Sequence, residues 1–142
     1  MGARRPFHLS PAGRGGPAGS ISAKHALVAP RSQFIRLSDI LSNIDAISEM
    51  VEGVDLAGFK SDLKLRRAIE RCVEIISEAS RHIPIPLKTE YPDQPWDEIA
   101  SIGNLLRHHY ERIDDLIMWK IATRSLPELR PTIVEMMRKV RS

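Results

Sequence analysis

From Ser32, a candidate helix N-cap, apolar residues return every three or four positions at Phe34, Leu37, Ile40, Leu41, Ile44, Ile47 and Val51. That spacing lines one face of a helix and predicts a first helix running to about Glu52. Gly53 and Gly58 bracket a short connection. A second stripe follows at Leu65, Ala68, Ile69, Cys72, Val73, Ile76 and Ala79, with Arg66, Arg67, Glu70, Glu74 and Glu78 turned elsewhere. Between Ile83 and Pro95 lie four prolines in thirteen residues, which predicts a crossing loop, because proline lacks the N–H that a helix or a central strand needs. Trp96 opens a third helix carrying Ile99, Ile102, Leu106, Tyr110 and Ile113 on one face. Asp114 or Asp115 caps a fourth over Leu116, Ile117, Trp119, Ile121 and Ala122. Ser125-Leu126-Pro127-Glu128 has the spacing of a capping box and predicts a last helix with Leu129, Ile133, Met136, Met137 and Val140, kinked or delayed by Pro131. No convincing run of alternating residues occurs, so the expected fold is all-α, a bundle of about five helices.

Composition narrows the picture. The chain has 142 residues, 42% hydrophobic and 27% charged, which fits a globular domain rather than a wholly disordered chain. No stretch approaches the roughly 18 uninterrupted apolar residues of a membrane-spanning helix. Cys72 is the one cysteine, so neither an intramolecular disulfide nor a multi-cysteine zinc cluster forms, and a reducing cytoplasm is the expected location. The formal charge of +3 is unevenly placed. Residues 1–33 hold Arg4, Arg5, Arg14, Lys24 and Arg31 and no acid, leaving 16 basic against 18 acidic residues in the rest. The same segment has five of the eight glycines and four of the ten prolines. It is expected to be a disordered basic arm ahead of a helical domain over residues 34–142. A transit peptide, a nucleic-acid-binding arm and plain tail sequence compete for it; the last is favoured, since these glycines and prolines oppose an amphipathic helix.

Whether the apolar surface of Trp119, Ile133, Met136 and Met137 fills the chain's own core or an oligomer interface is open at this level. The chemistry concentrates elsewhere. Gly103 to Arg112 packs two histidines, two arginines, a tyrosine, a glutamate and an asparagine into ten residues. At about 100° per residue, His108 falls opposite the stripe of Ile99, Leu106 and Ile113, with Asn104 one turn before it. His108 is therefore expected to meet solvent, a ligand or another subunit. A solvated face with Glu111 pairing Arg107 is the bland alternative. Adjacent His108 and His109 diverge on a helix, unlike the i, i+4 pair of a zinc helix, so no metal and no cofactor is expected. Cys72 sits in an apolar stripe and reads as a small core residue. An imidazole beside guanidinium and hydroxyl groups suits phosphodiester chemistry on RNA, in which histidine moves a proton and arginine neutralises the phosphorus oxygens.

At this cluster the sequence resembles the HepT-like branch of the HEPN superfamily, small all-α toxin ribonucleases. The segments that carry the resemblance are Leu37 to Leu41 with Ile44, Phe59 to Asp62 leading into Ala68, Glu74 to Ala79, Trp96 to Ile99, Asn104 to Tyr110, and Trp119 with Leu126 to Leu129. The motif of that family is an arginine followed after four to six residues by histidine, usually as Arg-Asn, three residues, His, one residue, Tyr. Asn104, His108 and Tyr110 fit it, and Gly103 stands where the arginine would be. The resemblance implies His108 as catalytic acid or base, Asn104 as polar support and Glu78 as an orienting group. It implies Tyr110 as the tyrosine to which an MntA-type nucleotidyltransferase antitoxin adds AMP, and a homodimer with the site where two copies meet. Arg107, one turn after position 103 and within about 40° of the same face, is the candidate replacement for the missing arginine. Gly103 itself signals a local break or a close approach by a neighbour.

Three functions follow as expectations. The first is a metal-independent endoribonuclease toxin acting through His108, Arg107 and Asn104. The second is a catalytically inactive module that docks a nucleotidyltransferase. The third is a nucleic-acid-binding protein that uses the basic arm, and it ranks last because the ordered part has no basic excess.

Overall fold

The computed structural model describes residues 30–109, 111 and 113–141. Residues 1–29 lie outside them, and with them most of the expected basic arm. Helix α1 spans Pro30–Val51, so it starts ahead of the Ser32 cap expected from sequence. Leu37, Ile40, Ile44 and Ile47 on its inner face are fully buried. It stops at a left-handed turn, Gly53 having φ of +74°, a conformation that glycine adopts without steric penalty.

The expected short connection contains a helix of its own, α2 (Leu56–Ser61). The Asp55 carboxylate caps it by accepting from the Gly58 N–H at 2.9 Å, and Phe59 anchors it in the core against Trp119, ring centroids 5.2 Å apart. Helix α3 (Leu63–Arg81) begins on a second aspartate cap, Asp62 accepting from the Leu65 N–H at 3.0 Å. Its stripe is the expected one apart from Ala68, which is exposed, and Cys72, which is half-buried.

The proline-rich crossing is not all loop. One turn of helix, α4 (Ile85–Lys88), forms after Pro84. Pro86 sits in that first turn, where an N–H has no intrahelical acceptor and its loss costs nothing. The Trp96 indole N–H to Tyr91 C=O bond at 3.0 Å and the Gln94 side chain to Thr132 Oγ1 bond at 3.0 Å fasten the crossing to its surroundings.

Helix α5 (Trp96–His108) is shorter than its apolar stripe predicted. The chain leaves helical geometry at His109, φ −143° and ψ 43°, so Ile113 is not on this helix. Arg107 places positive charge in the last turn, at the negative end of the helix dipole. Asp114 caps α6 (Asp115–Lys120), accepting from the Ile117 N–H at 2.8 Å, as predicted.

The capping box at Ser125 does not form. α6 continues through a π turn, Ile121–Ser125, into α7 (Leu126–Arg141). The Leu126 N–H reaches back five residues to the Ile121 C=O. Pro127 accounts for the widening: its ring clashes with a carbonyl four residues earlier, and a π turn moves that carbonyl aside. Ser125 is thereby buried within the helical run, its hydroxyl without a hydrogen-bond partner.

No strand occurs among the described residues, and the all-α expectation stands. α1 packs against α3 and α7, and α3 packs also against α5. Ile133 and Met136 belong to this core, with Trp119 and Met137 packed half-buried against it.

Candidate functional site

The site is built where α5 crosses α3. Gly103 lies on the buried face of α5, in line with Ile99, Ile102 and Leu106. Its N–H donates to the Ser77 hydroxyl at 3.0 Å, and that hydroxyl donates to the Ala100 C=O at 3.0 Å. A Cβ on residue 103 would stand 2.8 Å from Ser77 Oγ and 2.9 Å from Ser77 Cβ. Of the two readings of Gly103, a local break or a close approach, the structure selects the approach: α5 continues straight through it, and α3 occupies the space of a side chain.

Arg107 follows one turn later on the exposed edge. Its Nη1 lies 3.7 Å from the position a Gly103 Cβ would take. The guanidinium thus folds back along the helix to position 103, the direction that long helical side chains favour. It opens onto a cleft of about 260 Å³ walled by Arg36 and Asp39 of α1 and Arg71, Glu74 and Glu78 of α3.

Glu78 belongs to this cleft, so Arg107 and Glu78, distant in sequence, come together. The Glu78 carboxylate is bound by His82 Nε2 at 3.0 Å. That hydrogen bond holds its carboxyl below the usual glutamate range, and the positive charges of Arg81 and Arg107 act in the same direction. His82 was not singled out from sequence, nor were Arg36, Asp39 and Arg71. The i, i+3 pair of Arg36 and Asp39 and the i, i+4 pair of Glu78 and His82 were visible as polar helix faces, but nothing local showed that those faces meet.

His108 and Asn104 are both exposed on the outer side of α5. Neither lines the cleft. His109 is exposed beside them, and Tyr110 lies outside the described residues. Asn104, Arg107, His108 and Glu111 are all exposed, as the bland alternative of a solvated face expects, while its Arg107–Glu111 ion pair is absent among the described residues. Cys72 does not line the cleft, and burial pushes its thiol up, which makes it a poor nucleophile. No group of three His, Cys, Asp or Glu side chains suited to a metal ion occurs among the described residues. No helix there is long and apolar enough to cross a membrane.

Comparison with known proteins gives this geometry a context. The model of a family described as "Ribonuclease HepT-like" matches residues 40–136. A protein of Thermococcus cleftensis named "Probable ribonuclease HepT" is 35% identical over 100 residues, 70% of this chain and 91% of that protein. A protein of Methanocaldococcus jannaschii named as a candidate RNase, MJ1380, is 33% identical over 97 residues, 68% of this chain and 89% of that protein. A third, named as a candidate RNase of Caldanaerobacter subterraneus subsp. tengcongensis, is 32% identical over 103 residues, 72% of this chain and 92% of that protein. No solved structure matches the chain.

Proposed function

The chain belongs to the HepT-like ribonuclease family of the HEPN superfamily, and from that premise we propose that it is a metal-independent endoribonuclease whose working groups are His108 and Arg107. The observation that supports this reading is the path of Arg107, whose Nη1 lies 3.7 Å from where a Gly103 Cβ would stand, so that a cation lies beside the motif position. In the proposed reaction the RNA 2′-oxygen attacks the adjacent phosphorus, the bond from phosphorus to the 5′-oxygen breaks, and a 2′,3′-cyclic phosphate and a 5′-hydroxyl result. His108 takes the proton from the 2′-hydroxyl or returns one to the leaving oxygen. Arg107 neutralises charge gathering on the non-bridging oxygens. Asn104, one turn before His108, supports the substrate, and Glu78 positions Arg107 across the cleft. Two copies meeting at the outer face of α5 complete the site, which supplies a second wall for the exposed imidazole. An MntA-type nucleotidyltransferase antitoxin silences it by placing AMP on Tyr110, and the active protein is the toxin of that pair, in the cytoplasm.

Cleavage of a single-stranded RNA by the wild type, His108→Ala and Arg107→Ala tests the assignment. Loss of about 10²- to 10⁴-fold is expected for the histidine variant and about 10²- to 10³-fold for the arginine variant. Equal cutting by all three proteins refutes the assigned site. One observation favours the second reading, a catalytically inactive module that docks a nucleotidyltransferase: position 103 faces Ser77 so closely that the motif arginine has no room there. A wild type that binds the nucleotidyltransferase and leaves RNA intact is the outcome of that reading.

A further inference from the structure

The cleft beside Arg107 brings together three guanidinium groups from three helices: Arg36 of α1, Arg71 of α3 and Arg107 of α5. Three carboxylates share it, Asp39, Glu74 and Glu78. Half of these six charges are already committed. Arg71 Nη1 pairs with Glu74 Oε1 at 3.2 Å, and Glu78 is held by His82 at 3.0 Å. Arg36 and Arg107 are left: among the described residues neither makes a hydrogen bond or a close ion pair, and Arg107 feels Glu78 through longer-range attraction. Asp39 is the one carboxylate of the cleft whose side chain has no such partner.

Arg36 is the informative member because it is half-buried. Its stem rests in the cleft wall and its guanidinium has no protein acceptor among the described residues, which leaves the fork open to an anion entering the cleft. The planar fork of arginine matches two phosphate oxygens at once. The cleft volume of 260 Å³ lies just under the roughly 300 Å³ at which pockets for whole small molecules begin, so it takes a phosphate and the adjoining sugar and not a stacked base. Asp39 repels a phosphate but accepts from a hydroxyl, which suits a ribose edge.

We propose that Arg36 and Arg107 form a two-cation seat for one backbone phosphate of single-stranded RNA, with Asp39 facing the ribose beside it. The proposal rests on the ribonuclease reading above and adds a substrate-binding residue on α1 that lies outside the α5 motif. It also gives the missing arginine a physical replacement: the charge that position 103 has no room for is supplied from a facing helix and from one turn further along its own.

The test is binding of a fluorescein-labelled RNA oligonucleotide with its 2′-hydroxyls intact, followed by anisotropy over a salt series in proteins that all carry His108→Ala to prevent cutting, for the otherwise wild-type chain, Arg36→Ala, Arg36→Lys and Arg67→Ala. Arg67 is the control, an exposed α3 arginine paired with Glu70 at 3.2 Å and not part of the cleft. Arg36→Ala is expected to raise Kd about fivefold to tenfold and to lower the slope of log Kd against log salt by about 0.7, the share of one cation on a single strand. Arg36→Lys, which keeps the charge and loses the fork, falls between, and Arg67→Ala follows the wild type. An Arg36→Ala protein with wild-type affinity and slope overturns the phosphate seat, and if His108→Ala has meanwhile lost cleavage, the ribonuclease reading survives without it. A wild type that neither binds the oligonucleotide nor cuts RNA overturns both.

Discussion

Replacing Gly103 with alanine probes the contact on which the whole site is mounted. The added methyl would stand 2.8 Å from Ser77 Oγ and 2.9 Å from Ser77 Cβ, distances that carbon atoms do not sustain. Either Ser77 turns away, breaking its bonds to the Gly103 N–H and the Ala100 C=O, both 3.0 Å, or α3 and α5 separate. Overpacking of this kind costs about 1–3 kcal/mol, and each hydrogen bond lost adds about 1 kcal/mol. Against this, alanine favours a helix over glycine by about 1 kcal/mol. The balance is a destabilisation of about 2–4 kcal/mol. Urea unfolding followed by circular dichroism measures it, with a parallel fall in Tm of about 4 °C per kcal/mol for a domain of this size. The double variant Ser77→Gly/Gly103→Ala removes the obstructing side chain and is expected to recover part of the loss beyond additivity. A Gly103→Ala protein as stable as the wild type would show that helix propensity outweighs the contact and refute the close-approach account. Arg107 is positioned over the same glycine, so a separation of α3 and α5 also lowers any RNA cleavage, and Gly103→Arg, which restores the motif on paper, is expected to be less stable still and no more active.

Other outcomes follow from the same packing. Phe59→Ala empties a fully buried site and removes the ring that faces Trp119 at 5.2 Å, a loss of about 3–5 kcal/mol. A urea midpoint shift corresponding to under about 1 kcal/mol would mean that α2 is not anchored through this ring. The Asp45 carboxylate accepts two hydrogen bonds from Arg130, at 2.7 and 3.2 Å, tying α1 to α7. Those bonds hold its carboxyl below the usual aspartate range, with the Arg130 charge acting the same way. A group whose folded pKa is depressed stabilises the fold above its unfolded pKa, and that contribution fades as pH falls through the folded value. Unfolding free energy is therefore expected to drop on acidification below about pH 4, and Asp45→Asn to flatten that part of the profile; an unchanged profile would remove the pair from the stability of the fold.

The helices themselves were legible in the chain, because a repeat of three to four residues is the local geometry of a helix and needs no distant partner. Where a local rule was overruled, the reason was a neighbour or a proline in an unforeseen place. Pro86 was compatible with a helical turn because it fell in the first turn. The Ser125 box failed because Pro127 widened the helix and carried α6 into α7 without a break. α5 ended five residues short of Ile113, the chain leaving helical geometry at His109.

The site divides in the same way. The sequence determined that His108 and Asn104 face outward, since helical phase is set by the residues between them and the buried stripe, and it marked Gly103 as a place of close approach or breakage. It had no means of placing Arg36, Asp39 or His82 near Arg107. Those residues meet only because α1 and α5 both pack on α3, and the depth of that packing is set by one hydroxyl, Ser77, resting against a residue without a side chain. Helical phase depends on a few neighbouring bonds, whereas the assembly of charges from three helices depends on how closely their surfaces interlock, which is a property of the folded whole.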